Sequence, residues 1–330
     1  FYLRTRQRGM QNWDGKIHYI TKTGQFKIGL LPKVYDMCIE MGIKPKVVDM
    51  RQPLPKVSKV VTKIGKYKLR PEQEKAVKAV INNTIGGKPF HIGVLDYTVN
   101  AGKTLIMSSL YLSYKKQLKT LLITNDSDWL NQAREEFKQY LPGEDITFVQ
   151  GKVLNWSNFT IGMVQSISRN MRFYQKELSQ IDMVLIDEAD QGGSRQYQNV
   201  ITRLFNTRIR IGLSGTIYMS KLAKDKVKNM NLECFFGKVL AEFKLRDSIK
   251  KGYSTKTVVK MVPGKPWYGN WESDCISYKE IYDDSITNSY TAWLMAYSRL
   301  RWNINQGRYP ALVVCKHIAH CENLYKFFKK

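Results

Sequence analysis

From Lys68 onward, the apolar positions fall into runs of strand length separated by stretches of helical rhythm. The runs lie at 91–95, 120–124, 159–163, 183–186 and 209–213, and the spacing leaves room for a crossover helix between most pairs. Residues 71–81 and 105–114 read as helices, and Gly86-Gly87 as a turn. Strands alternating with helices predict an α/β lobe with a parallel sheet covered on both faces. Around 244–253 the charge density rises and the rhythm breaks. A second lobe is expected from there, with strands at 257–262 and 311–315, one or two helices over 276–304, and a helix over 322–328. Before the first lobe, residues 1 to about 50 are dense in basic and aromatic side chains, and Pro53 and Pro55 then interrupt the pattern. The expected organisation is a small basic leading domain and linker at 1–60, a nucleotide-binding lobe at 61–250, and the beginning of a second lobe at 251–330.

Composition narrows the function. The 330 residues are 43% hydrophobic, enough to bury the cores of two domains. Lysine and arginine number 53 against 28 aspartates and glutamates, a net charge of +25. That surplus exceeds what solubility needs, and it runs from Arg4 to Lys330 without forming a tail, so a polyanion, nucleic acid above all, is the expected partner. Cys38, Cys234, Cys275, Cys315 and Cys321 include no CxxC pair, which argues against a disulfide framework or a zinc ribbon and fits a reducing cytoplasm. No apolar run approaches the roughly 20 residues that cross a bilayer, and no signal-peptide pattern opens the chain. Opening on Phe1 instead of methionine is what a piece of a longer protein would show.

Two motifs carry chemistry. Asn100, Ala101, Gly102, Lys103 and Thr104 sit between an apolar strand and a helix, the setting of a phosphate-binding loop. Amides at the helix start favour phosphate, Lys103 would reach the outer phosphates of ATP, and Thr104 would hold magnesium. The strict GxxxxGKT pattern fails at its first glycine, where Tyr97 stands. The second motif, Asp187-Glu188-Ala189-Asp190, follows an apolar run and so falls at the carboxyl end of a strand, where open parallel sheets bind ligands. There Asp187 suits the magnesium shell, and Glu188 is placed to orient or deprotonate the attacking water.

The order of these motifs resembles that of superfamily two helicases, whose motor is a pair of RecA-like lobes. Leu69-Arg70-Pro71-Glu72-Gln73 is similar to the family's adenine-reading element, which implies Gln73, and secondarily Arg70, as cofactor contacts. Residues 125–132 lie where the family has a DNA-backbone motif: Gln132 matches it, while Asn125 and Trp129 replace the usual proline and leucine. Gln165 and Ser166, within 162–167, resemble the next strand-contacting segment. Ser214-Gly215-Thr216 resembles the motif coupling hydrolysis to lobe movement, which implies Ser214 and Thr216 as coupling residues. The region Asn12-Trp13-Asp14-Gly15-Lys16-Ile17 resembles the signature of the phage UvsW family of recombination helicases. Residues 312–324, with Lys316, His317 and His320, resemble that family's opening motif of the second lobe.

The resemblance implies an ATP- and magnesium-dependent motor working on branched or forked duplex and single-stranded DNA in recombination, repair or replication. It also implies a phage enzyme in the cytoplasm of an infected bacterium, with a monomer favoured. Arg4, Arg6, Arg8, Trp13 and Lys16 are the expected DNA contacts of the leading domain, since basic side chains track phosphates and aromatics stack on bases. In such motors the second lobe supplies arginine fingers, which contribute roughly a thousandfold or more in rate. The chain ends before any segment resembling that element, so weak hydrolysis is the expectation for this length of chain. The clustered Cys315, His317, His320 and Cys321 fit no familiar zinc spacing and read as a strand-to-helix turn. An RNA helicase and a nucleic-acid-binding module with a regulatory nucleotide site are the alternatives. Polarity, the preferred DNA structure and protein partners are not encoded in any motif.

Overall fold

Parallel strands buried on both faces need apolar side chains at successive positions, and the chain's longest apolar runs form the centre of such a sheet. The computed structural model describes residues 17–114, 117–151, 153–217, 223–256, 277, 280, 282–308 and 312–329. The chain divides into two compact units, Phe1–Lys256 and Thr257–Lys330.

The first unit is built on eight strands: β1 (His91–Tyr97), β2 (Thr120–Thr124), β3 (Ile146–Gln150), β4 (Val153–Leu154), β5 (Phe159–Met163), β6 (Met183–Asp187), β7 (Ile209–Ser214) and β8 (Val239–Phe243). Their spatial order is β8-β1-β7-β6-β2-β5-β3-β4. Every neighbouring pair is parallel except β3 with β4. Strands β1, β2, β6 and β7 are buried along their whole length. The expected strands at 120–124 and 159–163 appear with those bounds, and the other three run one or two residues further. Strands β3 and β8 were not expected, because each is half-buried and interrupts its apolar residues with Thr147 or Glu242.

Nine helices are described in this unit: α1 (Leu31–Glu40), α2 (Pro71–Ile81), α3 (Lys103–Ser113), α4 (Ser127–Tyr140), α5 (Val164–Arg169), α6 (Gln175–Ser179), α7 (Arg195–Ile201), α8 (Ala223–Phe236) and α9 (Leu245–Lys250). Helix α2 begins with Pro71, whose missing N–H costs nothing in a first turn, and Gln73 Oε1 accepts the Arg70 N–H at 2.8 Å. Asp126 caps α4 by accepting from the N–H groups of Asp128 and Trp129. The period-two alternation of the strands then divides the core. Leu95, Leu122, Leu185 and Ile211 pack with Val77, Leu110 and Phe137 of α2, α3 and α4. Val94, Leu121, Val184 and Ile186 pack with Ile167, Leu178, Tyr197 and Phe236 of α5 to α8.

The leading segment docks on this second layer. Leu30 is buried in it, and Gly29 lies so close to the end of α8 that an added Cβ would stand 2.1 Å from the Glu233 carbonyl oxygen. Lys33 pairs with Glu233 at 2.5 Å, and Asp49 pairs with both Arg51 and Arg208.

In the second unit the described residues include α10 (Tyr290–Asn305) and α11 (Ile318–Lys329), preceded by a π-helical turn, Asp283–Thr287. Phe327 of α11 packs edge-on against Tyr290 and Tyr297 and, at a tilt, against Trp293 of α10. The strand expected at 311–315 does not form over 312–315. Leu312 and Val314 are exposed there, and no described strand pairs with the segment, so among the described residues its apolar run lacks the ladder that a strand needs. The strand expected at 257–262 lies outside the described residues.

Candidate nucleotide-binding site

Three strand ends meet at the carboxyl edge of the sheet. In the register of β1, β7 and β6, Ser214 stands beside Asp96, and Asp187 beside Leu213. The loop from Thr98 to Gly102 leaves β1 at this edge and enters α3. Two residues of that loop have positive φ, Asn100 at 63° and Gly102 at 74°. Asparagine tolerates that region, and at Gly102 nothing else fits: an added Cβ would lie 2.3 Å from Gln73 Nε2. Gly102 is the N-cap of α3, so the backbone turns sharply to present the helix's first N–H groups.

The lysine of the loop meets the acids of β6. Lys103 Nζ lies 3.4 Å from Asp187 Oδ1 and 3.9 Å from Glu188 Oε1. Asp187 is buried, whereas Glu188 is about half exposed and holds a left-handed backbone, φ 54°. Such a conformation in a non-glycine residue is uncommon and tends to mark functional turns. Burial pushes the Asp187 carboxyl above its usual range, and the charge of Lys103 pulls it back. Burial also raises Glu188, opposed by Lys103 and reinforced by Asp187 and Asp190. Asp187 Oδ1 is shielded from solvent yet has no satisfying hydrogen bond. A buried, charge-bearing, under-bonded oxygen facing the threonine-bearing turn of a phosphate loop fits a hard divalent cation such as magnesium.

Around this centre the structure adds contacts that the motifs alone did not disclose. Ser214 Oγ donates to Asp190 Oδ1 at 2.9 Å and accepts the Thr216 N–H at 3.2 Å, tying the last acid of the tetrapeptide to the end of β7. Asn125 Nδ2 donates to Gln191 Oε1 at 2.6 Å, and Gln165 Nε2 donates to the Asn125 carbonyl at 3.3 Å. A chain of amides therefore joins the ends of β2 and β5 to the residue after Asp190. Gln191 had no sequence signal beyond its position next to the acids. Ser166 Oγ accepts from Gly151 N at 3.0 Å, and Gln132 lies on the exposed side of α4, bonded to Glu136.

Gln73, the expected adenine contact, is held within the protein. It is fully buried, its Nε2 donates to the Ala101 carbonyl at 2.8 Å, and its Oε1 holds the Arg70 N–H. In this conformation it braces the loop that enters α3. Arg70 stacks over the Tyr253 ring at 4.3 Å. Tyr97, in place of the motif's first glycine, continues β1 into the core and donates its hydroxyl to the Glu72 carbonyl at 2.7 Å. Arg4, Arg6, Arg8, Trp13 and Lys16 lie outside the described residues.

Residues 66–219 match the family model described as "Type III restriction enzyme, res subunit". Among solved structures, the chain is similar to the UvsW helicase from bacteriophage T4. One structure of that helicase is 21% identical, aligned over 73% of this chain and 86% of its own, with a TM-score of 0.57. A second structure of T4 UvsW is 20% identical, aligned over 98% of this chain and 65% of its own, with a TM-score of 0.55. At that identity the likeness establishes the fold. A search of curated proteins returned no match.

Proposed function

We propose, starting from the match of residues 66–219 to the family model of the type III restriction enzyme res subunit, that the chain is the ATP-binding part of a DNA helicase or translocase acting on branched or forked DNA. The observation that carries the reading is the convergence of Lys103, Asp187 and Glu188 at one sheet edge, with Asp190 bonded to Ser214 beside them.

In this reading the N–H groups at the start of α3 and the ammonium of Lys103 bind the ATP phosphates. Thr104 and Asp187 would hold magnesium, which would supply neutralisation of phosphate charge. Until nucleotide arrives, Lys103 is held by the two acids, so the loop keeps its lysine ordered and its buried carboxylate compensated. Glu188 sits at the exposed side, where it orients a water and takes its proton; its raised pKa improves it as an acceptor. Any shift of the acidic turn on hydrolysis pulls on Ser214 through Asp190, a direct route to the segment that follows β7. Gln73 is the adenine contact in this proposal, with the second N–H of its amide and a lone pair of its carbonyl oxygen beyond the bonds to Ala101 and Arg70. Gln132, Gln165 and Ser166 face the nucleic acid in this proposal, and the +25 charge supports a polyanion track.

The test is steady-state ATP hydrolysis with forked DNA, single-stranded DNA and structured RNA as alternative activators, with Glu188→Gln as the blank. Stimulation by branched DNA that is lost in Glu188→Gln supports the proposal. Stimulation by RNA alone reassigns the polymer, and no stimulation by any of them removes the motor reading.

A further inference from the structure

Far from the phosphate loop, at the amino end of β7, a guanidinium is buried with no carboxylate partner among the described residues. Arg210 is the second residue of that strand, next to Ile209 where the strand begins, whereas the nucleotide site is at the strand's other end. Its side chain is nearly inaccessible, and Nη1 donates to the Phe235 carbonyl at 3.1 Å in the last turn of α8. Its Nε–H has no acceptor, and no carboxylate pairs with it among the described residues. Asp49, the acid of this neighbourhood, is committed to Arg51 and Arg208. Burial, with the nearby charge of Arg51, lowers the Arg210 pKa to about 10, so the group stays cationic at neutral pH.

Arg210 lines a cavity of about 270 Å³ together with Lys27, Arg51, Thr202 and the rings of Phe26, Phe205 and Phe235. Besides Arg210, Lys27 brings a second cation to this small space, while the Arg51 guanidinium is paired with Asp49 and the Thr202 hydroxyl donates to the Asn199 carbonyl. The carbonyl of a helix end offers Arg210 about half a negative charge, which leaves a burial of this kind under-compensated. An anion in the cavity would supply the missing charge and an acceptor for unused guanidinium donors. Among biological anions, a tetrahedral phosphate with several acceptor oxygens suits guanidinium and ammonium groups arriving from different elements.

We infer that this cavity, walled by the leading segment, α7, β7 and the end of α8, is a second phosphate-binding site, separate from the phosphate loop and independent of what the nucleotide site does. The phosphate belongs either to a free phosphate compound or to a DNA strand crossing this face.

The experiment is calorimetric titration of inorganic phosphate into the chain carrying Lys103→Ala, at constant ionic strength, which removes the loop lysine as a competing receptor. Saturable binding is expected, weakened about tenfold or more by Lys27→Gln and by Phe205→Asp. Both positions are exposed at the cavity mouth and should tolerate substitution, whereas Arg210→Gln loses the α8 cap and serves only as a supporting variant. A blunt-ended duplex with hydroxyl termini is then added as competitor. Displacement of phosphate assigns the site to DNA backbone, and retention assigns it to a free phosphate compound. Absence of saturable binding, or binding equal in Lys27→Gln, Phe205→Asp and their parent, overturns the inference. Failure of the helicase reading would leave this result unaltered, because the titration uses neither ATP nor turnover.

Discussion

Lys103 is the residue on which the site's charge balance turns. Its ammonium pairs with Asp187, so Lys103→Ala removes both the proposed phosphate ligand and the compensation of a buried carboxylate. ATP hydrolysis by Lys103→Ala should fall at least about a hundredfold, measured as phosphate release under activating nucleic acid. The raised pKa values of Asp187 and Glu188 set a sign for pH. Folded values above unfolded ones mean that the carboxyls' contribution to stability is fully present below their unfolded pKa and is lost as pH rises through the folded pKa. Magnesium needs the ionised form. Stabilisation of the chain by magnesium, read as a melting-temperature shift, should therefore grow as pH rises through a range above that of an ordinary carboxylate; a shift independent of pH would remove the metal assignment. Gly102 gives a third residue-scale expectation. Alanine there meets both a positive φ and the Gln73 amide, so Gly102→Ala should cost about 1–3 kcal/mol in urea unfolding and depress hydrolysis as well.

At the scale of elements, the phosphate loop is held by its neighbours more than by its own sequence. Helix α2 supports it twice, through Gln73 to the Ala101 carbonyl and through the Glu72 carbonyl to Tyr97. Glu72 is itself paired at 2.7 Å with Lys251, just beyond α9. Tyr97 therefore takes over part of the loop's support at the position where the usual motif has glycine. Tyr97→Phe should lose about 1 kcal/mol of stability and leave hydrolysis unchanged, a comparison made by urea denaturation beside an ATPase assay. A large loss of hydrolysis would mean that the hydroxyl takes part in ligand binding. The long buried strands were legible because burial on both faces demands unbroken apolar runs. The half-buried strands β3 and β8, at or next to the sheet's edges, were not, because one exposed side admits polar residues and erases the pattern.

For the whole molecule, charge is the property most open to test. A +25 chain that tracks phosphates releases counterions on binding, and each duplex phosphate contact contributes about 0.9 to the slope of log affinity against log salt. Binding of forked DNA should weaken steeply between 50 and 200 mM salt, as read by fluorescence anisotropy, with slopes that imply on the order of several contacts. A flat dependence would show that the basic surface does not hold nucleic acid.

The sequence by itself determined the parallel sheet, the phosphate loop between β1 and α3, and the acids at the end of β6. Each of these depends on local periodicity or on short spacing along the chain. Only the tertiary structure decided that Gln73 lies beneath the loop, that Ser214 bonds Asp190, and that Asn125, Gln165 and Gln191 form one chain of amides. Those contacts join residues from separate strands and helices, and strand order, which sets them, leaves no periodic mark in the sequence. The same holds for Arg210: an alternating strand reads alike whether its arginine faces water or, as here, lies buried beside a cavity at the far end of the sheet.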